Sequence, residues 1–145
     1  MTEHVLIPID GSEMSFEAFD FAIEHHPEAE LTVLHVVSPT EGLVGSGDAM
    51  AVNQQAIDAA VKRGEDFGER AREILRETNS LEGRPFETAV QIGRPASTIV
   101  EYAEDNDVDH IVMGSHGRSG IARVLMGSVA ETVVRRAPIP VTVVR

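Results

Sequence analysis

The sequence predicts an α/β domain in which helices cover both faces of a parallel, doubly wound β-sheet. Five short apolar segments alternate with four segments of helical periodicity, so the elements follow the order β-α-β-α-β-α-β-α-β. This alternation is typical of parallel strands that are joined by right-handed crossovers. A chain of 145 residues is also long enough for one hydrophobic core. We therefore expect a single, Rossmann-like, five-stranded domain that spans residues 1–145.

The strand segments are short, rich in branched side chains and bounded by glycine, proline or aspartate, which is typical of buried strands. The third segment alternates apolar and polar residues, as a strand nearer the edge of a sheet does. Pro8 lacks an N–H group, so the first strand tolerates it only where the sheet requires no hydrogen bond. The predicted strands are residues 4–9, 31–37, 86–92, 109–113 and 139–144.

The helical segments place apolar residues three and four positions apart. Ser12 is positioned to cap the first helix, Pro95 favours the start of the third, and Pro138 ends the fourth. Residues 38–50, after the second strand, contain three glycines and one proline, and we expect a mobile loop that could act as a lid. The predicted helices are residues 12–26, 50–78, 96–106 and 128–136.

Composition excludes several classes of protein. The chain has no cysteine, so disulfides, thiolate metal sites and cysteine nucleophiles are absent. No run of eighteen apolar residues and no secretion signal is present, so we expect a cytoplasmic protein without a membrane partner. The net charge of −12 argues against nucleic acid as a partner.

The basic residues have an unusual composition that bears on the environment of the protein. Eleven arginines and one lysine, Lys62, accompany 24 acidic residues. An acidic, lysine-poor surface stays hydrated when salt screens its self-repulsion, which favours a salt-rich cytoplasm of the halophilic kind. The alternative is that the acidic composition arose by ordinary sequence drift, without adaptation to high salt.

The residues most suited to chemistry follow the fourth strand. Gly114 and Gly117 come directly after it, and Gly127 and Ser128 open the last helix. A strand, a glycine-rich loop and a helix start can bring bare backbone N–H groups to one point, which suits a phosphate group. Residues 114–145 also carry five arginines and one acid, a net charge of +4, in an otherwise acidic chain. The alternative is that the glycines only make turns and that Ser128 only caps a helix.

The motifs of several enzyme classes are missing. The chain has no G-x-x-x-x-G-K-[ST] loop, no G-x-G-x-x-G after the first strand, and no serine, histidine and aspartate placed to activate a nucleophile. His25 and His26 lack the spacing of metal ligands, so the sequence assigns no metal site to protein side chains. Binding is therefore better supported than catalysis, and no catalytic residue is assigned.

The chain contains Gly114-x-x-Gly117, followed by nine residues and then Gly127-Ser128. This motif resembles the nucleotide-binding signature of the universal stress protein family, in its ATP-binding branch. The resemblance extends over the whole chain, and residues 112–120 are its most specific stretch. It implies the strand order 3-2-1-4-5 and ATP as the ligand, with Mg²⁺ or Mn²⁺ bound through the phosphates.

By position, the resemblance also implies which residues contact the nucleotide. Asp10 would contact the ribose, although a turn that caps the first helix is nearly as good an explanation. Val37 would hold the adenine by backbone contacts and apolar packing, with a plain core role as the alternative. Arg118 would neutralise phosphate or remain on the surface. The implied nucleotide-binding residues are Pro8, Ile9, Asp10, Val37, Met113, Gly114, His116, Gly117, Arg118, Gly127, Ser128 and Val129.

The resemblance implies that the chain is a regulatory module of the stress response. It would work as a dimeric switch that acts on an unknown protein partner. In the order 3-2-1-4-5 the last strand, which begins at Ile139 and ends at Val144, is an open apolar edge that a second copy could cover. Two alternatives remain at this point. The first is a slow ATPase or nucleotidyl-transfer enzyme of related architecture, and the second is an interaction module that binds no nucleotide.

Overall fold

The strands form one large parallel sheet and one short antiparallel ribbon. A computed structural model describes residues 2–45, 51–115 and 126–145. The sheet has the strand order β5-β2-β1-β6-β7, and β3 pairs with β4 in the ribbon. Counted on their own, the five strands of the sheet follow the predicted order 3-2-1-4-5, which is confirmed. The strands are β1 (His4–Pro8), β2 (Glu30–Val37), β3 (Leu43–Val44), β4 (Ala51–Val52), β5 (Phe86–Ile92), β6 (His110–Gly114) and β7 (Val141–Val144).

Two helices cover each face of the sheet, as predicted. One face packs Phe19 of the first helix and Leu75 of the second against Val5 and neighbouring strand residues. The other face packs Ile99 of the third helix and residues of the fourth against inward residues such as Leu6. Consecutive strand residues point to opposite faces, so a strand that is apolar throughout is buried on both sides. The helices are α1 (Glu13–His25), α2 (Gln54–Glu77), α3 (Pro95–Asp105) and α4 (Ser128–Arg136).

The segment after β2 is more ordered than the sequence predicts. Its first part is a 3₁₀ turn, Pro39–Gly42, rather than an irregular loop. Ser38 and Glu41 form a capping box at the start of this turn, and the Ser38 N–H donates to the Glu41 carboxylate at 2.8 Å. The Asn53 N–H then donates to the Gly42 carbonyl at 2.6 Å, which closes the segment onto the start of α2. The expected loop included residues 46–50, which lie outside the described residues.

Two element starts differ from the prediction by two or more residues, each for its own local reason. The second helix begins at Gln54, four residues later than expected, because the Asn53 side chain accepts hydrogen bonds from the N–H groups of Gln55 and Ala56. The last strand begins at Val141, because the segment before it contains two prolines.

Pro8 marks the point where β1 and β6 cease to pair. Pairing with β2 continues to Pro8, whereas pairing with β6 covers only Val5 and Leu6. The Ile9 N–H donates to β2, and since N–H directions alternate along a strand, position 8 faces β6. Proline has no N–H to donate there, so the ladder between β1 and β6 ends. The strand order reverses between these two strands, and ligands of doubly wound sheets bind at such a reversal.

Within the described part of the chain, no helix combines the length and the hydropathy that a membrane span requires.

Candidate functional site

A cleft of about 360 Å³ opens at the carboxyl ends of β1, β2 and β6. This volume is within the range of small-molecule sites in proteins. The apolar wall of the cleft consists of Leu34, Val36, Ile99 and Met113, and the start of α4 lines the cleft as well. The strand reversal and the end of the β1 and β6 ladder therefore coincide with a space that can hold a ligand.

The N-terminus of α4 presents backbone N–H groups to this cleft. Its N-cap residue is Gly127, which has no side chain to accept a hydrogen bond, and no side-chain cap is present among the described residues. The first intrahelical hydrogen bond here is from the Glu131 N–H to the Gly127 carbonyl, at 2.9 Å. The N–H groups of Ser128 and Val129 precede it and have no acceptor within the helix. With the helix dipole, these groups favour an anion at this end of the cleft.

The start of α4 is fixed to the end of β6. The Gly127 N–H donates to the Ser115 carbonyl at 2.6 Å, and the Ser115 N–H donates to the Val144 carbonyl at 2.8 Å. Ser115 is buried, and its hydroxyl donates to the Met14 sulfur of α1 at 3.1 Å. The position of the anion-favouring groups is thus set by the sheet.

Asp10 lies on the turn between β1 and α1, at the edge of the cleft. Its carboxylate accepts a hydrogen bond from the Ser12 N–H at 2.9 Å, so the Asx-type turn that the sequence allows is present. Ser12 in turn caps α1 by accepting a hydrogen bond from the Ser15 N–H at 3.1 Å. Gly11 between them has φ +86°, and a Cβ there would stand 2.4 Å from the Phe67 ring, so only glycine fits. The carboxylate is held at the cleft and keeps further acceptor capacity for a ligand hydroxyl.

A buried histidine supports this turn, and the sequence analysis did not identify it. The His35 Nδ1 lies 2.7 Å from the Ile9 carbonyl oxygen, so Nδ1 carries a proton and donates. The His35 ring packs edge-on against Phe67, with ring centroids 5.1 Å apart. Gly64 of α2 leaves room for the ring, since a Cβ there would stand 2.6 Å from the His35 Cδ2. The sequence signal that could have identified His35 is its place as a polar residue within a mostly apolar strand.

Val36, rather than Val37, faces the cleft. The expectation of apolar packing from Val37 is wrong, because the Val37 side chain is fully buried with Ile57 and Ala60 under α2. The Val37 carbonyl accepts a hydrogen bond from the Gly93 N–H at 2.9 Å, and the expected backbone contact of Val37 with the adenine stays a prediction. Consecutive residues of a strand point to opposite faces, so an error of one position assigns a core residue to the cleft.

The structure brings most of the other sequence-predicted residues together at the cleft. His116, Gly117 and Arg118 lie outside the described residues. Ser38, Glu41 and Pro95 also line the cleft, although the sequence did not mark them as site residues. Ser38 and Glu41 belong to the 3₁₀ turn, which the strand pattern does not predict, and Pro95 begins α3, whose approach to the cleft depends on tertiary packing. The predicted residues that line the cleft are Pro8, Ile9, Asp10, Met113, Gly114, Gly127, Ser128 and Val129.

The lining of the cleft contains polar groups of two kinds. Asp10 and Glu41 contribute carboxylates beside β1 and the 3₁₀ turn, and the start of α4 contributes backbone N–H groups. Glu41 is held by the Ser38 N–H and lies 3.7 Å from the Arg63 guanidinium. Carboxylates accept hydrogen bonds from hydroxyl groups, and uncapped N–H groups donate to anions. The cleft therefore suits a molecule with hydroxyls, a flat apolar part and an anionic end.

The comparisons with known proteins agree with this arrangement. A family model described as the universal stress protein family matches residues 1–145. A universal stress protein of Methanocaldococcus jannaschii is 37% identical over 145 residues, covering 97% of this chain and 81% of the relative. The solved universal stress protein UspA of Lactobacillus plantarum has a TM-score of 0.79 at 26% identity, covering 99% of this chain and 97% of that chain. A universal stress protein solved in complex with cAMP has a TM-score of 0.64 at 26% identity, covering 99% and 97%.

Proposed function

The chain belongs to the universal stress protein family, and we propose that it is a single-domain, dimeric regulatory module that binds ATP in the cleft between β1 and β6. The observation that carries the proposal is the N-terminus of α4, which has no side-chain cap among the described residues and lies beside the apolar wall in one cleft of about 360 Å³. An adenine nucleotide has the three matching parts: a flat base, a ribose with hydroxyls and a chain of phosphates.

In this proposal the phosphates lie against the start of α4. The N–H groups of Ser128 and Val129 donate to them, and the helix dipole adds a favourable potential. His116, Gly117 and Arg118 complete the phosphate loop as the sequence motif implies. A divalent ion, Mg²⁺ or Mn²⁺, would enter with the phosphates rather than through a protein cage.

The adenosine part lies against the apolar wall and the acidic side of the cleft. Val36 and Ile99 offer apolar contact to the base, and the Asp10 carboxylate accepts from a ribose hydroxyl. The relative that was solved in complex with cAMP supports an adenine nucleotide as the class of ligand.

The switch is proposed to act through the segment that follows β2. Ser38 and Glu41 line the cleft, while Gly42 in the same turn packs against Ile57 of α2. A bound nucleotide therefore contacts a segment that also forms part of the outer surface. Occupancy would change the surface that this segment presents to a partner protein.

A second copy of the chain is proposed to cover the open edge of β7. The carbonyls of Pro140 and Val144 accept hydrogen bonds from β6, so the alternate residues Val141 and Val143 direct their N–H groups to the open edge. Val143→Pro removes one outward N–H and leaves the ladder with β6 intact. We expect light scattering to give a dimer for the wild-type chain and a larger monomer fraction for Val143→Pro. A monomeric wild-type chain would contradict this part of the proposal.

Calorimetric titration of nucleotide-free protein with ATP and magnesium tests the central proposal. We expect one ATP per chain, a higher unfolding midpoint in its presence, and weaker binding by Gly127→Val, whose branched side chain stands beside the phosphate-binding N–H groups. Absence of both heat and thermal shift at millimolar ATP would show that the chain is an interaction module without a nucleotide. Undiminished ATP binding by Gly127→Val would show that the phosphates do not bind at the start of α4.

Slow ATP hydrolysis is the second candidate, because the carboxylates of Asp10 and Glu41 both line the cleft and could orient a water molecule. Phosphate release should then survive repurification and disappear in Asp10→Ala. Release that is lost on repurification, or that Asp10→Ala retains, would exclude this candidate.

We also propose that the chain is adapted to a salt-rich cytoplasm. The support is its net charge of −12 together with eleven arginines and a single lysine.

A further inference from the structure

Two histidines and a glutamate meet at the amino-terminal end of the sheet, opposite the cleft. Glu3 precedes β1, His26 follows α1, and His110 begins β6. One ligand atom from each residue can be chosen so that all three lie within 4.8 Å of one another. This cluster, which we call the amino-end cluster, shares no residue with the described lining of the cleft.

We propose that Glu3, His26 and His110 form a binding site for a divalent transition metal ion such as Zn²⁺. Imidazole nitrogen and carboxylate oxygen are ligands that zinc, cobalt and nickel bind well. The Glu3 carboxylate lies 2.8 Å from the His26 Nδ1 and 4.0 Å from the His110 Nδ1. Ligand atoms of a tetrahedral zinc site stand about 3.3 Å apart, given metal–ligand bonds of about 2.0 Å. The two Glu3 distances each differ from this separation by less than an ångström.

Thr142 holds the His110 ring in an orientation that suits a ligand. The His110 Nε2 lies 2.7 Å from the Thr142 hydroxyl oxygen on β7. If Nε2 donates to this oxygen, Nδ1 is left with a free lone pair that points toward the Glu3 carboxylate. An outer partner that fixes the tautomer of a histidine ligand is a regular feature of metal sites.

The backbone around the cluster is fixed as well. The Glu3 carbonyl accepts from the Glu30 N–H at 2.8 Å, which begins the ladder between β1 and β2. The His26 carbonyl accepts a hydrogen bond from the Arg84 guanidinium, and Arg84 also donates to the Ala29 carbonyl at 2.8 Å. The three ligands are therefore carried by positions that the sheet and one arginine hold, and little ordering is required on binding.

Burial and access also agree with a metal site. The side chains of His26 and His110 are 15% and 19% exposed, whereas that of Glu3 is 43% exposed. The exposed side next to Glu3 leaves room for water as a fourth ligand.

Zinc titration of the full-length chain, without a histidine tag and after removal of metal with a chelator, tests the proposal. We expect one Zn²⁺ per chain, a higher unfolding midpoint with Zn²⁺, and the visible absorption of a tetrahedral site when Co²⁺ replaces it. His26→Gln and His110→Gln should each weaken zinc binding by at least about tenfold. No heat and no thermal shift with Zn²⁺ would overturn the proposal.

His25→Gln is the matched control, because His25 is the exposed neighbour of His26 and its ring faces Phe21 instead. It should bind zinc like the wild-type chain. Should a histidine variant fail to fold, Glu3→Gln removes the exposed ligand with less effect on packing and should also weaken binding. Equal zinc affinity in the wild type and in folded Glu3→Gln, His26→Gln and His110→Gln would place any bound zinc elsewhere and overturn the proposal.

Thr142→Val tests the positioning role of Thr142. The substitution keeps the shape of the side chain and removes the partner of the His110 Nε2. We expect zinc affinity to fall by about tenfold, with the Co²⁺ spectrum altered and ATP affinity unchanged. Unchanged zinc affinity and an unchanged Co²⁺ spectrum would show that Thr142 has no role in orienting the ring.

Discussion

The two ends of the parallel sheet offer opposite chemistry to a ligand. At the carboxyl end, the cleft presents backbone N–H groups from the start of α4, which favour an anion. At the amino end, the amino-end cluster presents two imidazoles and a carboxylate, which favour a cation. Both ends are built on β1 and β6, and five residues of β1 separate them by about 16 Å. One pair of strands thus supports two sites whose electrostatic requirements do not compete.

The comparison shows how the sheet produces each kind of site. Parallel strands place their carboxyl ends, and the helix starts that follow them, on one edge, so backbone donors gather there. The amino ends of the same strands receive helix ends instead, and His26 is the residue that follows α1. Sites at the amino ends must therefore be made by side chains.

The largest expected effect comes from removing one backbone donor at the carboxyl end. Ser128 is the first residue of α4, where proline is well tolerated, and Ser128→Pro deletes its N–H without disturbing the helix. A hydrogen bond to a charged group contributes about 1.5–3 kcal/mol, so ATP affinity should fall about 10- to 100-fold. Calorimetric titration measures the change.

Two controls separate this effect from general damage. Ser128→Ala keeps the N–H and should lose less affinity than Ser128→Pro. Adenosine lacks phosphates, so its affinity should be the same for Ser128→Pro and for the wild type. If Ser128→Pro binds ATP with the same affinity as the wild-type chain, the assignment of the phosphates to the start of α4 is wrong.

The next effect concerns the wall of the cleft and the core beneath it. Val37 is fully buried under α2, and Val37→Ala should lower the free energy of unfolding by about 2 kcal/mol, because a cavity replaces two methyl groups. Denaturant unfolding measures the loss. Adenosine affinity, corrected for the fraction folded, should not change. A clear loss of adenosine affinity would show that the Val37 side chain contributes to the nucleotide site.

Val36→Ala should give the reverse result with a smaller effect. Val36 is half-buried and lines the cleft, so the substitution removes apolar contact to the base. We expect adenosine affinity to fall by about threefold to tenfold, with a smaller loss of stability than in Val37→Ala. Equal effects of the two substitutions on binding would show that the faces of β2 have been assigned incorrectly.

Most residues that the sequence predicted for the carboxyl end line the cleft, because they directly follow β1 and β6 or begin α4, and the pattern of strands and helices locates those positions. Met113 and Gly114 are adjacent, as are Ser128 and Val129, and a glycine-rich loop after a strand indicates a phosphate site. The clear error was the apolar packing of the Val37 side chain, since the sequence locates β2 but not the face on which its last residues lie. Ser38 and Glu41 were missed because the path of the 3₁₀ turn depends on packing, and Pro95 because the sequence indicates only that it begins a helix.

The amino-end cluster could not be predicted from spacing. Glu3 and His26 lie 23 positions apart, and His110 is more distant still. They meet only because β1 and β6 are neighbours and α1 ends beside them. The pair His25 and His26 drew attention in the sequence, but its two rings have different surroundings: one stacks on Phe21 and the other meets His110.

The smallest expected effect is that of salt, which acts on both ends alike. A chain of net charge −12 repels itself, and salt screens this repulsion. The thermal unfolding midpoint should therefore rise modestly as KCl increases from dilute buffer to molar concentration. A midpoint that falls over this range would contradict the proposed adaptation to high salt.

The most direct test of the account is to follow backbone amide resonances during an ATP titration. The account predicts that the amides of Ser128 and Val129 shift strongly, because their N–H groups bind phosphate, while those of Glu3 and His110 stay in place. Stationary Ser128 and Val129 resonances in a chain that binds ATP, or shifts concentrated at the amino end, would contradict it.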